Sequence, residues 1–181
     1  MASRVVALFC LLLLTFASST AAQPSSGEPL CQSIHALLRA SNSDFNAVKR
    51  NIVRHRDGAT DWVPSIEIAG AQDCGGQSDP QMSSSVSCTM ASSQSEKDVA
   101  TAYDDMVREI RSCLDRSFVS SERQGGKATR LATPIRESTF EVKGRDDGPD
   151  GPAVRVTFEQ FHRSTRSGYE LTVWVDAQDK E

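Results

Sequence analysis

The chain has 181 residues, with 20 Lys+Arg against 24 Asp+Glu for a formal charge of −4, and five cysteines. A mildly acidic chain without a basic stripe repels nucleic acid and anionic lipid, so neither is an expected partner. Past the first segment, about 160 residues suit one domain that buries roughly two thirds of its unfolded surface.

Met1–Arg4 is a short charged start, Val5–Phe16 is almost unbroken hydrocarbon, and Ala17–Ala22 is built of small residues. That order reads as a secretory signal peptide over 1–22, cut after Ala22. The apolar run is shorter than the roughly 20 residues a bilayer requires. Cleavage would remove Arg4 and Cys10, leaving 19 basic against 24 acidic residues, a charge of −5, and four cysteines. No later run is apolar enough for a span, so a soluble secreted or periplasmic protein is expected. Asn42, Asn46 and Asn51 each lack a hydroxyl residue two positions on, so no glycosylation sequon is present.

Residues 23–29 read as a polar, disordered tail. Leu30, Ile34, Leu37 and Leu38 then recur at helical spacing through Ala40, with Pro29 well placed at the start. Ser41–Asp44 is a polar break that could cap a short second helix through Phe45, Val48 and Ile52. Val63–Ile68 suits a short edge strand with Pro64 near its beginning, paired with Val86–Met90 across a turn-rich Gly75–Gln81. Glu96–Leu114 is the clearest helix. Val99, Tyr103, Met106, Val107, Ile110 and Leu114 form its apolar stripe, and Ser95 before Asp98 resembles a capping box. This stripe reads as core rather than as a cofactor surface.

After Leu114 the period changes to two. Phe118–Glu122, Thr139–Lys143, Val154–Glu159 and Tyr169–Asp176 alternate apolar with polar residues, the pattern of antiparallel strands dry on one face and wet on the other. Asp146–Pro152 and Arg163–Gly168 read as loops, and no internal repeat is visible. These elements predict an α+β domain over 30–181: an antiparallel sheet of about four to five mostly C-terminal strands, with two or three helices on one face.

Cys31, Cys74, Cys88 and Cys113 in an exported domain point to two disulfides, with three pairings possible on paper. Cys74 and Cys88 flank a turn-rich segment, while Cys31 and Cys113 lie by the apolar stripes of their helices. The expected pairs are Cys74–Cys88 and Cys31–Cys113. No two of these cysteines have the close C-x-x-C spacing a zinc site prefers, and no metal or cofactor is expected.

The remaining candidate chemistry is thin. Asp146, Asp150 and Gly151 match three positions of an EF-hand loop, but Gly148 and Thr157 stand where ligands belong, and strands flank the segment. Gly125-Gly126-Lys127 resembles half a phosphate loop, with Ser121 where the first glycine belongs and Ala128 after the lysine. His55-Arg56-Asp57 matches a kinase catalytic loop in three letters only. His35 is expected to be half-buried against its helix, His55 solvated, and His162 at a strand end. No serine sits in a G-x-S-x-G elbow. Asp104 and Asp105 are adjacent on a helix and diverge.

Trp174 is the best surface candidate. Alternation puts it opposite Leu171, Val173 and Val175, accompanied by Arg155 and Thr157, a composition common in contact patches. The alternative is that a second layer, such as the first helix, covers it. The expected function is a non-enzymatic binding domain for a protein or cell-envelope partner. The alternatives are a small secreted hydrolase with a site near His162 or the Asp146–Pro152 turn, and a small-ligand carrier.

Overall fold

The computed structural model describes residues 27–55, 57–80, 83–129, 131–142, 151–163 and 166–177. The expected signal peptide over 1–22 lies outside them, as does most of the Asp146–Pro152 turn. No helix among the described residues is long and apolar enough to cross a membrane.

The first helix, α1 (Gly27–Ser41), opens inside the stretch read as a tail. Leu30, Ile34, Leu37 and Leu38 are its buried stripe. It stops because the chain turns left-handed at Asp44 and Phe45, with φ of 55° and 56°, a conformation no helix can continue through. Four strands follow, β1 (Lys49–Arg54), β2 (Thr60–Pro64), β3 (Asp73–Ser78) and β4 (Ser85–Ser93). The second helix, α2 (Glu96–Cys113), starts at Ser95, whose Oγ accepts the Asp98 N–H. It ends where Leu114 goes extended. Four more strands complete the chain, β5 (Phe118–Gln124), β6 (Ala132–Val142), β7 (Ala153–Arg163) and β8 (Arg166–Asp176).

All eight strands form one antiparallel sheet in the order β1-β2-β3-β4-β8-β7-β6-β5. The topology repeats although the sequence does not: a helix followed by a four-stranded meander, twice, with the last strand of each half (β4 and β8) paired at the centre.

Both helices cover the same face. One cross-strand row on it runs Trp62–Gly76–Val86–Val175–Val154–Phe140, and the next carries Cys74, Cys88, Val173, Val156 and Ser138. Ile34, Leu37, Tyr103 and Ile110 of the helices join these rows in a single buried core. Burial of this apolar surface, at about 25 cal/mol per Å2, is the main driving force holding helices to sheet. Two disulfides add covalent ties. Cys31–Cys113 joins the start of α1 to the end of α2 with Cα atoms 5.0 Å apart, and Cys74–Cys88 joins directly opposed residues of β3 and β4 at 4.1 Å.

The expected sheet of four to five strands under two or three helices is therefore corrected to eight strands and two helices among the described residues. The short second helix does not form. Its apolar spacing is taken up by a turn that buries Phe45 and Val48, and then by β1, an edge strand on which Ile52 and Val53 face solvent. Residues 75–78 of the turn-rich segment after Cys74 belong to β3. Its two glycines make it a poor strand in isolation, but both neighbouring strands hold it in register, and the Trp62 ring lies over Gly76. With β3 in place, β4 pairs with β3 and β8 rather than with the segment from Val63. Within the predicted loop 163–168, the described residues Arg163 and 166–168 are strand, with Arg163 opposite Arg166.

Candidate functional site

Strands β7 and β8 pair from Ala153↔Asp176 to Arg163↔Arg166 with no bulge. Regular pairing keeps the period of two intact, so alternate residues stay on alternate faces. Val154, Val156, Phe158, Leu171, Val173 and Val175 point into the core. Arg155, Thr157, Thr172, Trp174 and Asp176 occupy the face away from both helices, so α1 does not cover Trp174.

Trp174 stands directly across from Arg155 on β7 and from Ser87 on β4. The Arg155 guanidinium lies 5.0 Å from the Trp174 ring centroid, within cation–π range. The same guanidinium sits 3.3 Å from Asp176 Oδ2. Trp174 Nε1–H donates to Thr157 Oγ1 at 3.2 Å, and the Thr157 hydroxyl donates onward to the Thr172 carbonyl at 3.4 Å. Thr157 is buried beneath this arrangement, while Trp174 and Arg155 are half-exposed. The result is an aromatic plate fixed from two sides, with a planar cation over it. An aromatic ring and a guanidinium held in this way present a stacking surface, and a rotamer fixed in advance limits the side-chain entropy that any contact made there would cost.

A second polar cluster lies on the helix side. Tyr103 is fully buried, and its hydroxyl is 2.7 Å from Ser138 Oγ. Arg136 stacks over the Tyr103 ring with its guanidinium carbon 4.4 Å from the centroid. It reaches Glu122 from Nε and Nη2 at 3.1 and 2.8 Å, and Asp104 from Nη1 at 2.8 Å. Burial pushes the Tyr103 hydroxyl above its usual range, and the Ser138 hydrogen bond only partly opposes it. Burial also works against the Arg136 charge, but the bonds to Glu122 and Asp104 outweigh it and hold the guanidinium more firmly protonated. This cluster clasps α2 to β5 and β6. It spans residues more than thirty positions apart, so no local sequence signal could have marked it.

The other sequence candidates remain scattered. His35 is exposed rather than half-buried, because it faces away from the Leu30–Ile34–Leu37 stripe. His55 is exposed and pairs with Asp61 at 2.8 Å across the β1–β2 hairpin. His162 is exposed at the end of β7, 3.4 Å from Thr133 Oγ1. Asp105 bonds Arg108 along the helix, while its neighbour Asp104 turns to Arg136. Among the described residues no three His, Cys, Asp or Glu side chains gather as a metal site. Gly125-Gly126-Lys127 lies between β5 and β6, not at the start of a helix, where a phosphate loop would put it.

Comparison with known proteins adds no functional assignment, since no family model, no curated protein and no solved structure matches the chain.

Proposed function

We propose that this chain is an exported, non-enzymatic binding domain that holds a protein or cell-envelope partner on the sheet face opposite its helices. One observation carries the reading: both helices pack on one side of the sheet, leaving Trp174, Arg155 and Thr157 together on the other side in a mutually bonded arrangement. Tryptophan and arginine are the residue types that most often carry binding energy at protein interfaces. The disulfides and the charged start followed by an apolar run support an extracytoplasmic setting.

Trp174→Ala tests this. The side chain is half-exposed and outside the core, so the variant should keep the parent's disulfides and fold. Partner recovered from the protein's own exported fraction should fall at least tenfold, the effect of a hot-spot residue worth about 1.4 kcal/mol or more. Recovery equal to the parent's, from a folded variant, removes this face from the account.

A further inference from the structure

The two outermost strands of the sheet differ in a way that bears on assembly. A free edge presents unpaired N–H and C=O groups to any extended backbone, and proteins commonly guard such edges. Strand β1 is guarded: its register with β2 breaks between Arg50 and Val53, Asn51 is left-handed at φ 47°, and Lys49, Arg50 and Arg54 line it. Strand β5 has neither a bulge nor a left-handed residue, and its two charged residues, Glu122 and Arg123, are of opposite sign. It pairs residue for residue with β6 from Phe118↔Val142 to Gln124↔Arg136, without bulge or proline. Its outer edge has no neighbour among the described residues. Val119 is 48% exposed on it, and Ser120 and Ser121 at its middle are small and uncharged.

We propose that β5 is a self-pairing edge, through which two copies of this chain join antiparallel about a twofold axis at Ser121 into one continuous sheet. The register follows from the side chains. In an antiparallel pair, opposed residues share a face, so a twofold axis must pass through a residue. An axis at Ser121 opposes Phe118 to Gln124, Val119 to Arg123 and Ser120 to Glu122, and Ser121 to itself, using the whole strand with no like charges opposed. Two of the pairs are complementary: the Val119 methyl groups meet the arginine stem, and the Ser120 hydroxyl can donate to the Glu122 carboxylate. Moving the axis to Glu122 or Arg123 opposes like charges, and moving it to Ser120 leaves the last two residues unpaired. The occupant that fits this edge is therefore a second copy, in a closed, isologous pair. Both Trp174 faces then lie on the same side of the joined sheet, although the inference does not rest on what that face binds.

The self-opposed residue supplies the test. Ser121→Asp and Ser121→Lys each put like charges face to face in the pair, while adding only an exposed charge to the single chain. In sedimentation velocity the parent should run as two chains, each variant alone as one, and an equimolar mixture of the two variants as two again. Near-ultraviolet circular dichroism checks that both variants are folded. A parent that stays one chain at its highest soluble concentration overturns the proposal, as does a pair that both variants leave intact or a mixture that fails to reassociate. Hydrogen exchange on the parent needs no variant: amides of Val119 to Arg123 should exchange more slowly at high than at low protein concentration, while those of β1 do not change. Equal rates for β5 at both concentrations would contradict self-pairing.

Discussion

Replacing Gly76 by alanine perturbs the sheet where the Trp62 ring lies over β3. A Cβ built there lies 2.4 Å from Cδ2, Cε2 and Cε3 of Trp62, where carbon atoms in contact sit about 3.5–4.0 Å apart. The ring would have to retreat by more than about 1 Å, and it is not free to do so. Its Nε1–H donates to Ser78 Oγ at 3.1 Å, Phe45 packs against it at 5.7 Å between centroids, and Lys49 Nζ lies 5.3 Å from the ring centroid. Overpacking a core position costs about 1–3 kcal/mol, and loss of the indole hydrogen bond adds about 1 kcal/mol. Gly76→Ala should therefore destabilise the oxidised protein by about 2–4 kcal/mol in urea unfolding. In a Trp62→Leu background most of that cost should vanish, a coupling of at least about 1 kcal/mol in the double-mutant cycle. A Gly76→Ala variant within about 0.5 kcal/mol of its parent, or strictly additive single effects, would mean that the indole does not rest on this glycine.

The two disulfides should differ in worth. The Cys31–Cys113 link closes 82 positions and the Cys74–Cys88 link 14, so in the chain-entropy picture the first contributes about 4–5 kcal/mol and the second about 3 kcal/mol. Serine pairs at each site, compared by urea unfolding, check the order. The chain's two tyrosines, Tyr103 and Tyr169, are both pushed above their usual range, Tyr103 by burial and Tyr169 by burial together with the Glu96 carboxylate. Absorbance at the phenolate band should show both ionising later in the folded than in the urea-unfolded protein. The stability tied to these protons is whole below the free tyrosine value of about 10 and is lost as the pH climbs through the raised native values. A folded titration that overlays the unfolded one would contradict the environment described for Tyr103. Tyr103→Phe leaves the buried Ser138 hydroxyl without its partner and should cost about 1–3 kcal/mol in the same unfolding assay.

What could be read in the sequence divides along physical lines. Strands β7 and β8 were legible because one face is dry and the other wet, which writes a period of two into Val154–Phe158 and Leu171–Val175. Helix α2 was legible because its cap, stripe and polar side all agree. Strand β3 was not, since Asp-Cys-Gly-Gly-Gln-Ser carries no propensity for its own state and is a strand only through its neighbours. Strand β1 was misread because Phe45, Val48 and Ile52 satisfy a helical spacing, while the left-handed turn that precludes a helix is a backbone property of Asp44 and Phe45. At the candidate site, alternation alone puts Trp174 on the face away from the core. Its bonded geometry depends on the register between β7 and β8 and on Asp176 at 3.3 Å from Arg155, which no local pattern encodes.

The binding account is tested most directly by photo-crosslinking from two positions. A photoreactive residue replaces Ser87, across from Trp174 on the open face, or Arg108, whose side chain is 72% exposed on α2. With the protein produced in its native host, a discrete crosslinked partner is expected from position 87 and none from position 108. That product should be lost when Trp174→Ala is added. A product from position 108 alone, or one from position 87 that survives Trp174→Ala, would contradict the binding account.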